Sequence, residues 1–160
     1  MHLDHGWIES HIPHHGRMCL LDEVIDWGCE HIRCVAKGHR AADHPLRARG
    51  ELGIASGIEC AAQAMAVHGA LAAGALEIGP VAAGQSPMVP PESGFIAGVR
   101  EVQFYVLRLD DVPGDLICDA VRVAGDALTA LYEFELRSAT MRLLSGRATV
   151  LLDGKRWLHL

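Results

Sequence analysis

The chain has no excess of positive charge. It carries 14 Lys and Arg against 20 Asp and Glu, a formal net charge of -6. The basic residues do not cluster beyond Arg47 and Arg49. No nucleic-acid partner and no anionic-membrane partner is therefore expected. Long apolar runs are also missing, with one exception, Gly57 to Gly74. That segment is rich in small side chains and carries Glu59, Gln63 and His68, so it does not read as a membrane span. The opening "MHLDHGWIESHIPHHG" has no basic region followed by an apolar core, and no signal peptide is expected. The five cysteines show no regular spacing. Reduced thiols in a cytoplasmic protein are the simplest expectation. Internal repeats and domain linkers are absent too. At 160 residues, half of them apolar, one domain spanning 1–160 with its core at about 12–152 is expected.

What is present has a clear order. "MCLLDEVIDWG" (Met18 to Gly28) and "HIRCVAKG" (His31 to Gly38) read as a strand hairpin. The Gly57 to Gly74 segment follows and reads as a helix from about Ser56 to Ala73. "EIGPVAAGQSPMVPPESG" (Glu77 to Gly94) is a Pro- and Gly-rich loop. Four strand-like runs then occupy Gly98–Leu107, Asp115–Gly125, Leu128–Ser138 and Met141–Leu152. In the third run Leu128, Ala130, Tyr132, Phe134 and Leu136 alternate with polar residues, as in a strand with one wet face. "AGD" at Ala124 to Asp126 suits a tight turn. A helix apolar nearly all round must be wrapped. The pattern predicts an α+β domain in which five to six antiparallel strands curve around one central helix.

Glu59 and Gln63 stand out in that helix. They are spaced i, i+4 and share a face. One explanation of Glu59 is structural: Ser56-Gly57-Ile58-Glu59 fits an S-x-x-E capping box. The other is chemical. A carboxylate near a helix N-terminus feels the positive end of the dipole, while burial opposes its charge, and the two influences poise it for proton transfer. Upstream, "HRAADHPLRARGELG" places His44 before Pro45 on a loop that leads into the helix.

These residues resemble a family, the hotdog-fold 3-hydroxyacyl-acyl-carrier-protein dehydratases of bacterial fatty-acid synthesis. "HPLRARGELGIASGIECAAQAMA" takes the place of the family's His-Phe-Pro loop and Glu-Ala-Met-Ala-Gln helix. "IPHHGRMCLLDEVIDWG" is similar to its opening Ile-Pro-His and Leu-Leu-Asp-Arg-Val strand. Pro113-Gly114-Asp115 matches its later Pro-Gly-Asp. The resemblance runs from Ile12 to about Leu152. It is closest to the predicted dehydratases found with aryl-polyene clusters.

The resemblance implies a hotdog fold and a hydro-lyase acting on a 3-hydroxyacyl thioester of acyl-carrier protein or CoA. It implies His44 as the base that takes the C2 proton and Glu59 as the acid that helps the C3 hydroxyl leave. His39, Asp43 and His68 are other candidates for the base. Gln63 would orient Glu59. Backbone N–H groups around Gly53, Ile54 and Gly57 would bind the thioester oxygen. The helix side chains, Met65 and Val67 among them, would line an acyl tunnel. No cofactor is needed. A homodimer, or a heterodimer with another hotdog subunit, is expected. A thioesterase on the same fold and a non-catalytic partner subunit are the alternatives. His11-x-x-His14-His15 lacks a second ligand pair at metal spacing, so no metal site is expected. Cys29 and Cys34 read as ordinary thiols, and Cys60 reads as core.

Overall fold

The computed structural model describes residues 3–77 and 94–152. Its strands are β1 (Leu3–Asp4), β2 (Glu23–Trp27), β3 (His31–Ala36), β4 (Phe95–Phe104), β5 (Leu116–Gly125), β6 (Thr129–Arg137) and β7 (Arg142–Leu151). Its helices are α1 (His5–His11) and α2 (Gly57–Glu77), with short 3₁₀ turns at Gly16–Met18, Gly38–Arg40 and Ile54–Ser56. The strands form one sheet in the order β1-β2-β3-β5-β6-β7-β4. Every pairing in it is antiparallel.

The central helix packs on β3, β5 and β6, as expected for a helix with no polar face. Its Ala61, Ala64 and Val67 have no exposed surface. Against them the sheet presents Ile32 and Cys34, Leu116, Cys118 and Ala120, and Ala130, Tyr132, Phe134 and Leu136. The last four belong to the alternating set expected for β6, whose first member, Leu128, precedes the strand. Gly57 marks the closest approach. A Cβ there would lie 2.5 Å from Leu144 Cδ2 and 2.7 Å from Leu136 Cδ2. The β5–β6 turn also needs a glycine. Gly125 has φ +147°, and a Cβ would meet Thr129 O at 2.5 Å.

All six strands read from the pattern are present, and β1 makes a seventh. It pairs Leu3 with Val24 and Asp4 with Glu23. α1 was likewise not anticipated. The Asp4 side chain caps it by accepting from Trp7 N–H at 3.0 Å, and its apolar contacts are the fully buried Ile8 and the half-buried Trp7. One anchored turn leaves little periodicity to read. β4 begins and ends three residues before its expected bounds. Two bulges, between Ile96/Gly98 and Arg100/Gln103, break its register with β7, and Leu107 is diverted to accept Ile54 N–H at 3.0 Å. The Pro- and Gly-rich stretch expected as a loop lies mainly at 78–93, outside the described residues.

Candidate active site

Three side chains meet at the start of α2. Glu59 Oε1 accepts a hydrogen bond from Gln63 Nε2 at 3.0 Å. His14 Nε2 lies 2.9 Å from the same oxygen. Gln63 is fully buried, and its amide is saturated. Its Nε2 also donates to Met18 C=O at 2.7 Å, and its Oε1 accepts from Leu20 N–H at 2.8 Å. One side chain thus ties the loop after His14 to the helix that carries Glu59. Glu59 and His14 keep 30% of their side-chain surface exposed, so the cluster opens outward. No metal-holding group of His, Cys, Asp and Glu occurs among the described residues.

The capping-box explanation of Glu59 is not what forms. The helix is preceded by the 3₁₀ turn Ile54–Ser56 rather than by a side-chain cap. The Glu59 bonds among the described residues run to His14 and Gln63. A capping carboxylate must bend back to a backbone N–H. Two side-chain donors on one oxygen outcompete that single contact.

His44 sits elsewhere. It lines a cavity of about 10 Å³ with His39, Ser56, Cys60, Leu20 and Leu109, room for about one water molecule. Its Nδ1 accepts from Leu46 N–H at 3.2 Å. Burial, and next the Arg47 charge, hold its pKa below the ordinary value. The ring is therefore neutral with its proton on Nε2. It offers a donor where the base role needs a lone pair. The loop around it is stapled by Arg47, whose guanidinium donates to Ala41 C=O (2.7 Å), Gly50 C=O (2.8 Å) and Arg40 C=O (3.1 Å). Arg47 also donates to Asp110 at 3.2 Å. Asp110 in turn accepts from Arg108 (2.6 Å) and from Leu52 N–H (3.1 Å). The Arg108 hydrogen bonds hold its carboxyl well below the usual carboxylate range.

The other candidates for the base do not contact Glu59 among the described bonds. His39 is buried and bonded through Nε2 to Val112 C=O at 2.9 Å. Asp43 is exposed and faces Arg17 at 3.6 Å. His68 is buried between Tyr132 OH and Gly28 C=O. His14 is the residue that local sequence reasoning passed over, because it read as one of a histidine crowd. The signal was the Ile-Pro-His tripeptide ahead of the Leu-Leu-Asp run.

Of the expected backbone donors, Ile54 N–H is taken by Leu107 C=O, Ser56 N–H by Gly53 C=O, and Gly57 N–H closes the 3₁₀ turn. The N–H groups of Gly53 and Ala55 enter none of these bonds. Met65 and Val67 are buried in the core. Three of the thiols are buried and held protonated. Cys34 and Cys118 are register partners across β3 and β5. Burial pushes Cys34 and Cys60 up to about 12 and Cys118 well above the ordinary thiol value.

A family model described as ApeP dehydratase, of the ApeP-like family, matches residues 7–155. No curated protein sequence matches the chain. Among solved structures, the chain is similar to the dehydratase heterocomplex ApeI:P from Xenorhabdus doucetiae. The identity is 21% and the TM-score 0.79, over 95% of this chain and 94% of that one. It is also similar to Cj0977 from Campylobacter jejuni, at 13% identity and TM-score 0.58 over 93% and 89%. A hypothetical thioesterase with coenzyme A from Streptococcus pneumoniae matches at 13% identity and TM-score 0.53, over 82% and 85%. These structural likenesses identify the hotdog fold.

Proposed function

Since the chain belongs to the ApeP-like dehydratase family, we propose that it removes water from a 3-hydroxyacyl thioester, carried on acyl-carrier protein or CoA, to give the 2-enoyl thioester. The observation that carries this reading is the posture of Glu59. Its Oε1 is held by Gln63 and His14, while Oε2 has no hydrogen bond among the described residues. That free oxygen is suited to proton transfer at a substrate. In the reaction the C2–H bond breaks and its proton passes to Glu59 Oε2. The electron pair forms C2=C3 as the C3–O bond breaks, and the leaving oxygen takes a proton from the carboxyl group. One water is lost and Glu59 returns to its starting state. The thioester oxygen gains negative charge as C2 loses its proton, and Gly53 N–H and the Nε2–H of a His44 loop are the donors proposed for it. The chemistry requires no cofactor.

A second observation favours a shared site. The cavity of about 10 Å³ beside His44 is far too small for an acyl chain. Among the described residues the long edge strand β4 is hydrogen-bonded only to β7, and Phe95, Ile96, Val99 and Phe104 on it are exposed. An apolar open edge invites pairing. We place a second hotdog subunit there, a copy of this chain or a homologue, whose surface completes the acyl tunnel.

The test is to incubate the pure protein, alone and with a catalytic hotdog homologue, with 3-hydroxyacyl and acyl thioesters, and to follow the products by mass. Loss of one water's mass from the 3-hydroxyacyl group supports the proposal. Hydrolysis of the thioester would replace it with a thioesterase. No reaction, with no gain on mixing with the homologue, would overturn it.

A further inference from the structure

We propose that His14 is a positioning residue for Glu59. It is the second donor on Oε1 and leaves Oε2 as the one carboxylate oxygen presented to substrate. This rests on the dehydratase reading for its catalytic consequence, but the geometry behind it is independent of that reading.

Three observations support it. First, both donors converge on one oxygen, His14 Nε2 at 2.9 Å and Gln63 Nε2 at 3.0 Å. A carboxylate held through one oxygen has its rotation fixed and its other oxygen free. Second, the remaining ring nitrogen of His14, Nδ1, is enclosed and has no hydrogen-bond partner among the described residues. A proton there would be a buried donor without an acceptor, which is costly. The neutral ring therefore keeps its proton on Nε2, directed at Glu59. The same enclosure denies Nδ1 contact with a substrate, so the ring is not placed to act as the base. Third, the loop bearing His14 is anchored on both sides. Ile12 and Leu20 are buried, Gly16 turns the chain with φ +58°, and Gln63 grips Met18 and Leu20. The imidazole is thus held against Glu59 by a built loop. It is not a surface side chain that happens to touch.

The experiment compares wild type with His14→Gln and His14→Leu. Glutamine can place an amide N–H near the position of Nε2; leucine cannot donate. Carboxyl-labelled glutamate, with the Glu59 signal assigned from Glu59→Gln, gives the titration midpoint of Glu59 by NMR. Loss of a donor to the anion should raise that midpoint in His14→Leu, and His14→Gln should restore most of the shift. On a 3-hydroxyacyl thioester, His14→Leu should lower kcat by about tenfold or more with little change in KM, and His14→Gln should recover most of it. An unmoved Glu59 midpoint in folded His14→Leu would overturn the inference. So would a His14→Gln variant that is well folded but as slow as His14→Leu. If wild type removes no water, the dehydratase reading fails, while the Glu59 titration still decides the role of His14.

Discussion

Tyr132 on β6 donates its hydroxyl to Nδ1 of His68 on α2 at 2.8 Å, in the middle of the core. The other ring nitrogen of His68 donates to Gly28 C=O at 3.0 Å. Both histidine nitrogens and the phenol are thereby satisfied, which is the condition for burying them. His68→Leu would strand the Tyr132 hydroxyl and the Gly28 carbonyl. We expect a loss of about 2 kcal/mol or more, read as a lower denaturation midpoint. His68→Leu combined with Tyr132→Phe should recover part of that loss, because the hydroxyl no longer needs a partner.

The same histidine sets a pH dependence. Burial holds the pKa of His68 below its ordinary value, and His44 is shifted in the same direction. The unfolded chain therefore binds these protons first as pH falls. The stability from keeping both rings neutral is complete above the unfolded histidine pKa, about 6.5. It is lost as pH falls through the lower folded values. Denaturant midpoints measured downward from pH 7.5 should fall before any carboxylate titrates, and His68→Leu should flatten part of that slope.

Asp110 acts in a lower window. Its folded pKa is depressed, chiefly by the Arg108 hydrogen bonds. Its contribution is present above the ordinary carboxylate range and declines below about pH 4. Asp110→Asn should remove that component and loosen the Arg47-stapled loop. Hydrogen exchange at Leu52 N–H, which Asp110 accepts, should then quicken.

Thiol accessibility gives a check on the core. Cys29 is exposed, whereas Cys19, Cys34, Cys60 and Cys118 are buried. An aromatic disulfide reagent should label one thiol rapidly in the native protein and the remaining four only on unfolding. Rapid native labelling of Cys34 or Cys118 would contradict the packing of β3 and β5 on α2.

Glu59→Gln separates chemistry from architecture. Glutamine keeps an oxygen that can accept from Gln63 and His14, but it cannot carry the proton. Water loss should fall by about two orders of magnitude or more, with little thermal change. Ser56→Ala should now be nearly silent, because no capping box forms. A clear loss of stability in Ser56→Ala would restore the capping role that the geometry denies.

The fold was legible where periodicity is long. β6 shows its alternation over a whole strand, and α2 shows an apolar circumference that only a wrapped helix can bury. The N-terminal arm was not legible, since β1 has two residues and α1 two turns, each stabilised by what it docks against. At the candidate site, Glu59 and Gln63 were readable together because helical spacing alone makes them neighbours. His14 reaches them only through the path of the loop over the helix, which neither helical nor strand periodicity encodes. Ile54 and Gly57 looked like free donors at a helix start. Their N–H groups are used up by the 3₁₀ turn and the Leu107 contact, a choice made by tertiary structure.

The three bonds of Gln63 also bear on the order in which the molecule assembles. α2 needs only neighbouring residues to begin forming, whereas the links from Gln63 to Met18 and Leu20 close a long stretch of chain that includes the β2–β3 hairpin. Such closures are entropically expensive and come late. Helical signal should therefore return early during refolding, before Glu59 has its partners. A preparation that looks native by far-ultraviolet circular dichroism can still contain molecules whose carboxylate is not yet held, and competence would mature more slowly than helicity.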